Sequence, residues 1–441
     1  MTNNNWELVK LGDILNFKTG RLDSNAATLN GEYPFFTCSP ETLSINSYAF
    51  DDEAVLLAGN NANGVFSVKY YIGKFNAYQR TYVITSKDRN LVSIRWLYFR
   101  IKHVTAELQK MSVGTATKFL TKKILDNFEI RLPTLIEQES IANILWSLQS
   151  QIDINIQINQ TLESIAQAIF KSWFIDFDPV RAKIAAKQNG ADPELAAMCV
   201  ISGKSEAELK QMPEDDFAEL QATAALFPDE LVESELGEVP NGWFKTDLSI
   251  LADLNVQSWT KKNCPEKVTY VDLSNTKWGV IQQTEEFIFE KAPSRARRVL
   301  KIGDTIVGTV RPANGSYAFI QRENLTGSTG FAVLSPKHKN YAEFIYIVAT
   351  DKENIKRLAH LADGGAYPAV SYDTVLNTPC ILPIENKDGV LNLFHKNVKE
   401  FYLLSASKFE ENNILASIRD TLLPKLLSGE IDVSLLNRAQ V

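Results

Sequence analysis

Asn60-Asn61-Ala62-Asn63-Gly64 and Arg311-Pro312-Ala313-Asn314-Gly315 carry the side chains of this chain best suited to recognising a nucleobase edge. An Asn amide matches adenine with one donor and one acceptor, and an Arg guanidinium matches guanine with two donors. In both segments the closing Gly provides the positive φ that a turn requires. Other candidates are Tyr78, Gln79 and Arg80, with Ser328 and Thr329 in corresponding places ahead of a strand. Thr115, Thr117, Lys118 and Tyr367 belong to the small-residue loops 114–118 and 364–368, where glycine lets backbone approach a ligand closely. Arg295, Arg297 and Arg298 form a basic run suited to phosphates, which add affinity without sequence information.

Residue types that would support catalysis are badly spaced. Gly203-Lys204-Ser205 has the ending of a phosphate-binding loop, but Met198 stands where that loop requires glycine. His103, His338, His360 and His395 form no metal-ligand spacing, and Cys38, Cys199, Cys264 and Cys380 form no C-x-x-C pair. The Asn/Asp-Pro-Pro-Tyr/Phe tetrapeptide of amino-methyltransferases is missing, and Pro228-Asp229 is not followed by the E-x-K of a nuclease core. Catalysis, if there is any, is expected from partners. No catalytic residue, metal site or bound cofactor is assigned to this chain.

The segments recur because the sequence recurs. Residues 54–66 lie over 305–317 and residues 114–133 over 364–383, a shift near 250 residues, with 114–133 and 364–383 both ending in Leu-Pro. Such a period is too long for a solenoid and implies one domain used twice. Each copy shows short apolar strands followed by a helix, over 93–111 and 342–361, giving an α+β class. After each Leu-Pro comes a long helix with an apolar seam stepping by fours and threes. Ile141, Leu145, Leu148 and Ile152 lead to Asn155 and Asn159, and Leu391, Phe394, Val398 and Phe401 lead to Ser405, Lys408 and Asn412. Seams with matching polar centres predict an antiparallel coiled coil and a pseudo-two-fold repeat. The expected order is a first domain over 1–133, a helix over 134–176, an acidic helical connector over 177–236, a second domain over 237–383, a helix over 384–433 and a tail over 434–441.

Charge follows the same division. The net charge is −7, yet residues 1–133 carry 16 Lys+Arg against 12 Asp+Glu, and residues 237–383 carry 17 against 15. Residues 173–236 hold 5 basic against 14 acidic groups, so the acidity lies mostly in the connector. Slightly basic domains are compatible with phosphate contact. The isolated cysteines, the absence of a basic-then-apolar leader and the lack of an apolar run near 18 residues lead us to expect a cytoplasmic protein without membrane association.

Three segments carry a family resemblance: FKSWFIDFDPVRAK (170–183), LFPDELVESELGEVPNGW (226–243) and LLPKLLSGEIDV (422–433). They resemble the specificity subunits of type I restriction–modification enzymes, and the resemblance covers essentially the whole chain. It implies two similar target-recognition domains separated by two long helices. It also implies a non-catalytic subunit that binds a bipartite double-stranded DNA target, one half-site per domain. The implied partners are two adenine-N6 methyltransferase subunits and the translocase–nuclease restriction subunits. S-adenosylmethionine, ATP and Mg²⁺ would be used by those partners. A free-standing DNA-binding regulator built on the same duplicated fold is the alternative expectation.

Overall fold

The structure, a computed structural model, describes residues 6–61, 66–115, 117–234, 237–365 and 367–433. The chain folds as two compact units, residues 1–156 with 409–441, and residues 157–408.

In the first unit β1 (Glu7–Lys10) passes through α1 (Leu11–Ile14) into β2 (Leu15–Thr19). There follow β3 (Tyr33–Phe36), β4 (Thr42–Ile45), β5 (Phe50–Ala58), β6 (Asn60–Asn61), β7 (Val68–Ala77) and β8 (Thr81–Ser86). Strands β2, β8, β5, β7, β3 and β4 hydrogen-bond in that order, antiparallel except for the β3–β7 pair. The run Ala54–Ala58 of β5 is apolar without alternation and buried throughout, as a strand covered on both faces must be. α2 (Ile94–His103) and α3 (Thr105–Met111) come next, then β9 (Lys118–Phe119), α4 (Lys122–Asn127) and β10 (Glu129–Leu132). β9 pairs with β6, and β10 pairs with β1.

α5 (Leu135–Phe174) starts at a reciprocal cap, with the Thr134 N–H donating to Glu137 Oε2 at 2.8 Å and the Glu137 N–H to Thr134 Oγ1 at 3.4 Å. The connector holds α6 (Asp178–Gln188), α7 (Pro193–Ser202), α8 (Glu206–Leu209) and α9 (Glu214–Ala224), the last three sharing a small core of Ala197, Met198, Leu209 and Ala224. The buried Lys183 ammonium donates to Glu194 Oε1 at 2.7 Å and to the Phe227 carbonyl at 2.8 Å. A hairpin of β11 (Leu231–Ser234) and β12 (Gly237–Pro240) leads onward.

The second unit continues with β13 (Trp243–Asp247), β14 (Ala252–Leu254), β15 (Lys267–Val271), β16 (Thr276–Lys277), β17 (Val280–Ile281), β18 (Glu285–Ile288) and β19 (Ala296–Leu300). Then come β20 (Thr305–Gly308), β21 (Tyr317–Phe319), β22 (Leu325–Ser328), β23 (Phe331–Pro336), α10 (Ala342–Thr350), α11 (Lys352–Leu361), α12 (Tyr372–Leu376), β24 (Pro379–Pro383) and α13 (Lys387–Ser428).

The duplication is visible in the pairing. Sheet order β14-β23-β20-β21 repeats β2-β8-β5-β7, and β13 pairs with β24 as β1 pairs with β10. In the first unit Phe35 and Phe36 run parallel to Asn76 and Ala77; in the second, Tyr270 and Val271 run parallel to Thr326 and Gly327. The two helices expected over 93–111 and 342–361 are each broken. Val104 separates α2 from α3, and Asp351 separates α10 from α11. Asp351 Oδ1 accepts from the Glu353 and Asn354 N–H groups, so it caps a new helix where continuation was expected. The second unit also adds a sheet β18-β15-β22-β19 and the β16–β17 hairpin, which hydrophobic periodicity did not single out.

Each unit's core includes both long helices. Ile141, Ala142 and Leu145 of α5 share the first core with Leu426 and Leu427 of α13. Ala166, Phe170 and Trp173 share the second with Leu391, Phe394 and Val398. The start of one helix meets the end of the other, so they run antiparallel. The polar seam positions meet as well. In the first unit Asn155 Nδ2 donates to Asn412 Oδ1 at 2.9 Å and Arg419 Nη1 to Gln149 Oε1 at 2.7 Å. In the second unit Asn159 Nδ2 donates to the Ser405 carbonyl at 3.3 Å. Among the described residues no helix is long and apolar enough to cross a membrane.

Candidate nucleic-acid interface

In each unit three segments meet at the end of β5 or β20. In the first, the Gly59 N–H donates to the Arg80 carbonyl at 2.8 Å, and the Leu120 N–H donates to the Gly59 carbonyl at 2.9 Å. In the second, the Thr309 N–H donates to the Gly330 carbonyl at 2.9 Å, and the Val370 N–H to the Thr309 carbonyl at 3.0 Å. Each pair of positions is 250 residues apart, so one backbone junction is built twice. Beside it a tight loop closes on mutual hydrogen bonds between Val113 and Phe119, or between Asp363 and Ala369. Gly114 turns the first loop with φ +109°, and a Cβ there would lie 2.1 Å from the Thr117 carbonyl oxygen. Only glycine fits.

At the first junction Asn60 faces Phe119 and Asn61 faces Lys118 across the β6–β9 ladder. Both asparagines, Thr117 and Lys118 are half-buried, and Thr115 is exposed. The exposed Arg80 guanidinium lies 5.4 Å from the Phe119 ring centroid. A stacked guanidinium keeps its donor edge free and loses less freedom on binding. Tyr78 is half-buried, its N–H bonded to the Phe36 carbonyl at 2.9 Å, and the exposed Gln79 donates to Asp23 Oδ2 at 3.3 Å. Asn63 lies outside the described residues.

The second junction carries a different set. Arg311 is exposed with φ +48°, its N–H bonded to the Pro368 carbonyl at 2.8 Å and its guanidinium 4.9 Å from the Tyr367 ring. Tyr367 is 72 % exposed, so this stack faces solvent. Asn314 is exposed on the following turn. Thr329 is half-buried; its N–H donates to the Arg295 carbonyl at 2.8 Å, and its own carbonyl accepts the Tyr372 hydroxyl at 2.6 Å. Arg295 is exposed nearby.

Three expectations need correction. Sequence alignment on Ala-Asn-Gly placed Arg311 over Asn60. The backbone places Val310 opposite Ala369 as Asn60 is opposite Phe119, so Arg311 occupies the Asn61 position, and the Val307–Tyr317 pair closes its turn one residue sooner than the Leu57–Val68 pair closes the first. Ser328 is fully buried, its hydroxyl accepting the Gly330 N–H at 3.2 Å, so its side chain is used within the turn where an exposed contact was expected. Arg297 and Arg298 do not form an open phosphate patch. A bulge in β19 sends the Arg297 guanidinium onto Phe289 at 4.6 Å and Arg298 onto Tyr372 at 5.1 Å, with Arg298 Nη1 bonded to Ser258 Oγ at 3.2 Å. The residue that sequence reasoning missed is Trp278, 58 % exposed against the 311–315 turn. A lone Trp-Gly dipeptide between short strands gave no signal for it.

No group of three or more His, Cys, Asp or Glu placed to hold a metal ion occurs among the described residues. Comparison with known proteins gives a consistent family. Residues 3–164 match the family model described as type I restriction modification DNA specificity domain. The type I restriction enzyme HindI specificity subunit of Haemophilus influenzae is 32 % identical over 374 residues, which are 79 % of this chain and 80 % of that one. The chain belongs to the type I restriction enzyme specificity subunits. The Escherichia coli EcoDI specificity subunit shares 40 % identity over 168 residues, 37 % of this chain and 36 % of its own. The crystal structure of a type I restriction–modification S subunit from M. genitalium has the same fold, with a TM-score of 0.56, 14 % identity and 97 % of both chains covered. For a specificity subunit the paired junctions have a clear meaning: the framework is duplicated, while the side chains mounted on it differ.

Proposed function

We propose that this chain reads a bipartite double-stranded DNA target, with one half-site at the Asn60–Asn61–Arg80–Lys118 junction and the other at the Arg311–Asn314–Tyr367 junction. The observation that carries this is the backbone junction built twice with diverged amide, guanidinium and aromatic groups. A single framework holding different donors is what two unlike half-sites require. The antiparallel helices act as the scaffold to which two methyltransferase subunits and the restriction subunits attach. Methyl transfer and strand cleavage, with S-adenosylmethionine, ATP and Mg²⁺, belong to those partners.

The test is an exchange of residues 237–383 for the matching segment of a relative with a known target, followed by mapping of N6-methyladenine in cells carrying the partner subunits. One half of the methylated sequence should change while the other half stays. A change in both halves together would overturn the two-reader model.

A further inference from the structure

A hollow of 320 Å³ in the second unit is lined by Trp278, Ala313, Tyr317, Ile355, Lys352 and Lys356, among others, and most of its surface is apolar. Ala313 brings the 311–315 turn into its wall. Trp278 is fastened to that turn: its N–H donates to the Gly315 carbonyl at 2.7 Å, and the following Gly279 N–H donates to the Tyr317 carbonyl at 3.0 Å. The indole lies directly on Gly315, where a Cβ would come within 2.5 Å of the ring, and it meets Tyr317 edge-on at 6.0 Å. Its backbone holds φ +49°, a left-handed conformation unusual for a bulky residue. Lys277 Nζ donates to the Asn314 carbonyl at 3.4 Å and to Ser316 Oγ at 3.3 Å, which ties the end of the turn to the same segment. A partly exposed indole is thus held against the turn that begins at Arg311.

Two lysines border the hollow. Lys352 makes no ion pair among the described residues, and Lys356 pairs only with the exposed Glu353 at 2.7 Å. An apolar aromatic surface flanked by two lysines matches the chemistry of a nucleotide unit, whose flat or apolar face lies between phosphates. We propose that this hollow is a DNA subsite. The Trp278 indole packs on the apolar face of one nucleotide at or beside the second half-site, and Lys352 and Lys356 take the neighbouring phosphates. This rests on the DNA-reading function above and extends the interface to a residue outside the Arg311–Tyr367 stack.

The test uses the chain assembled with its methyltransferase subunits and a duplex containing the methylated target. Trp278→Ala should weaken binding to that duplex by roughly ten- to a hundredfold, with Trp278→Phe losing less, and the melting temperature unchanged. Lys352→Ala with Lys356→Ala should lower the salt dependence of binding by about one or two counterions. Abasic substitutions, one position at a time, locate the contact. A position at which wild type and Trp278→Ala become equal shows stacking on that base, and a difference surviving at every position shows packing on deoxyribose. Wild-type affinity in a folded Trp278→Ala complex overturns the subsite. Failure of the wild-type complex to distinguish its target from scrambled DNA overturns instead the reading function on which the subsite rests.

Discussion

Asn155 is fully buried between the long helices, and its amide donates to Asn412 Oδ1 at 2.9 Å. Replacing Asn412 with Leu removes that acceptor and strands a buried donor, which costs about 1–3 kcal/mol. The reverse change, Asn155→Leu, leaves Asn412 half-buried and open to rehydration, so its cost should stay below ~1 kcal/mol. Replacing both removes both polar groups together, and the double variant should return to within ~1 kcal/mol of the parent or exceed it. A loss of ~2 kcal/mol in a unit of this size corresponds to a fall in melting temperature of roughly 4–8 °C. Thermal melts of the four proteins form a double-mutant cycle, and amide exchange around residue 152 locates the effect. The double variant should also show weaker specification of helix register, because a polar pair in an apolar seam fixes alignment. An Asn412→Leu protein as stable as its parent, or a double variant as unstable as the two single changes added together, would refute the argument that a buried Asn155 amide is coupled to Asn412.

Arg311→Ala should weaken recognition at one base pair of the second half-site by about 1–3 kcal/mol, measured as methylation of singly substituted targets; equal loss on all sequences would make it a phosphate contact. Gly315→Ala imposes a side chain at φ +64° and 2.5 Å from the Trp278 ring, so it should cost about 1–3 kcal/mol in a melt and displace the indole. Lys183→Ala strands the Glu194 carboxylate and the Phe227 carbonyl, and about 2–3 kcal/mol should be lost, seen as faster exchange confined to the connector helices. The Cys380 thiol is pushed up to about 12 by burial, with Asp247 adding to the effect. It should resist alkylation at pH 9 while folded. Its proton is retained by the folded state and lost by the unfolded state from about pH 8.5 upward, so this contribution is whole below that pH and declines toward pH 12. Cys380→Ala should flatten the stability–pH slope in that window.

Much of the fold was legible because apolar patterns repeat at long range. The 250-residue shift located equivalent strands, and the seams predicted that polar centre would meet polar centre, as it does where Asn155 bonds Asn412. Helix breaks were missed because Val104 and Asp351 sit within otherwise helical apolar patterns, and only the cap hydrogen bonds show the chain restarting. The site was harder. Exposure decides whether a polar side chain can reach DNA, and neither Ser328 in a fully buried strand end nor Arg298 stacked on Tyr372 differs in type from a surface residue. The one-residue offset of Arg311 escaped because matching letters at Ala-Asn-Gly outweighed the strand bridge that fixes the true register.

The unequal continuity of the two units has a consequence for synthesis on the ribosome. Residues 157–408 form an uninterrupted unit, whereas the first unit draws Leu426, Leu427 and Val433 into a core begun by Trp6 and Leu11. Ile141, Ala142 and Leu145 therefore lack their partners on α13 until about 280 further residues have been made, a wait of roughly 15–55 s at ordinary elongation rates. The unit translated first is the one completed last. Throughout that interval the part of the core that α13 covers stays open on the nascent chain, which makes the first unit the expected client of chaperones and the part most sensitive to premature termination near the 3′ end of the message.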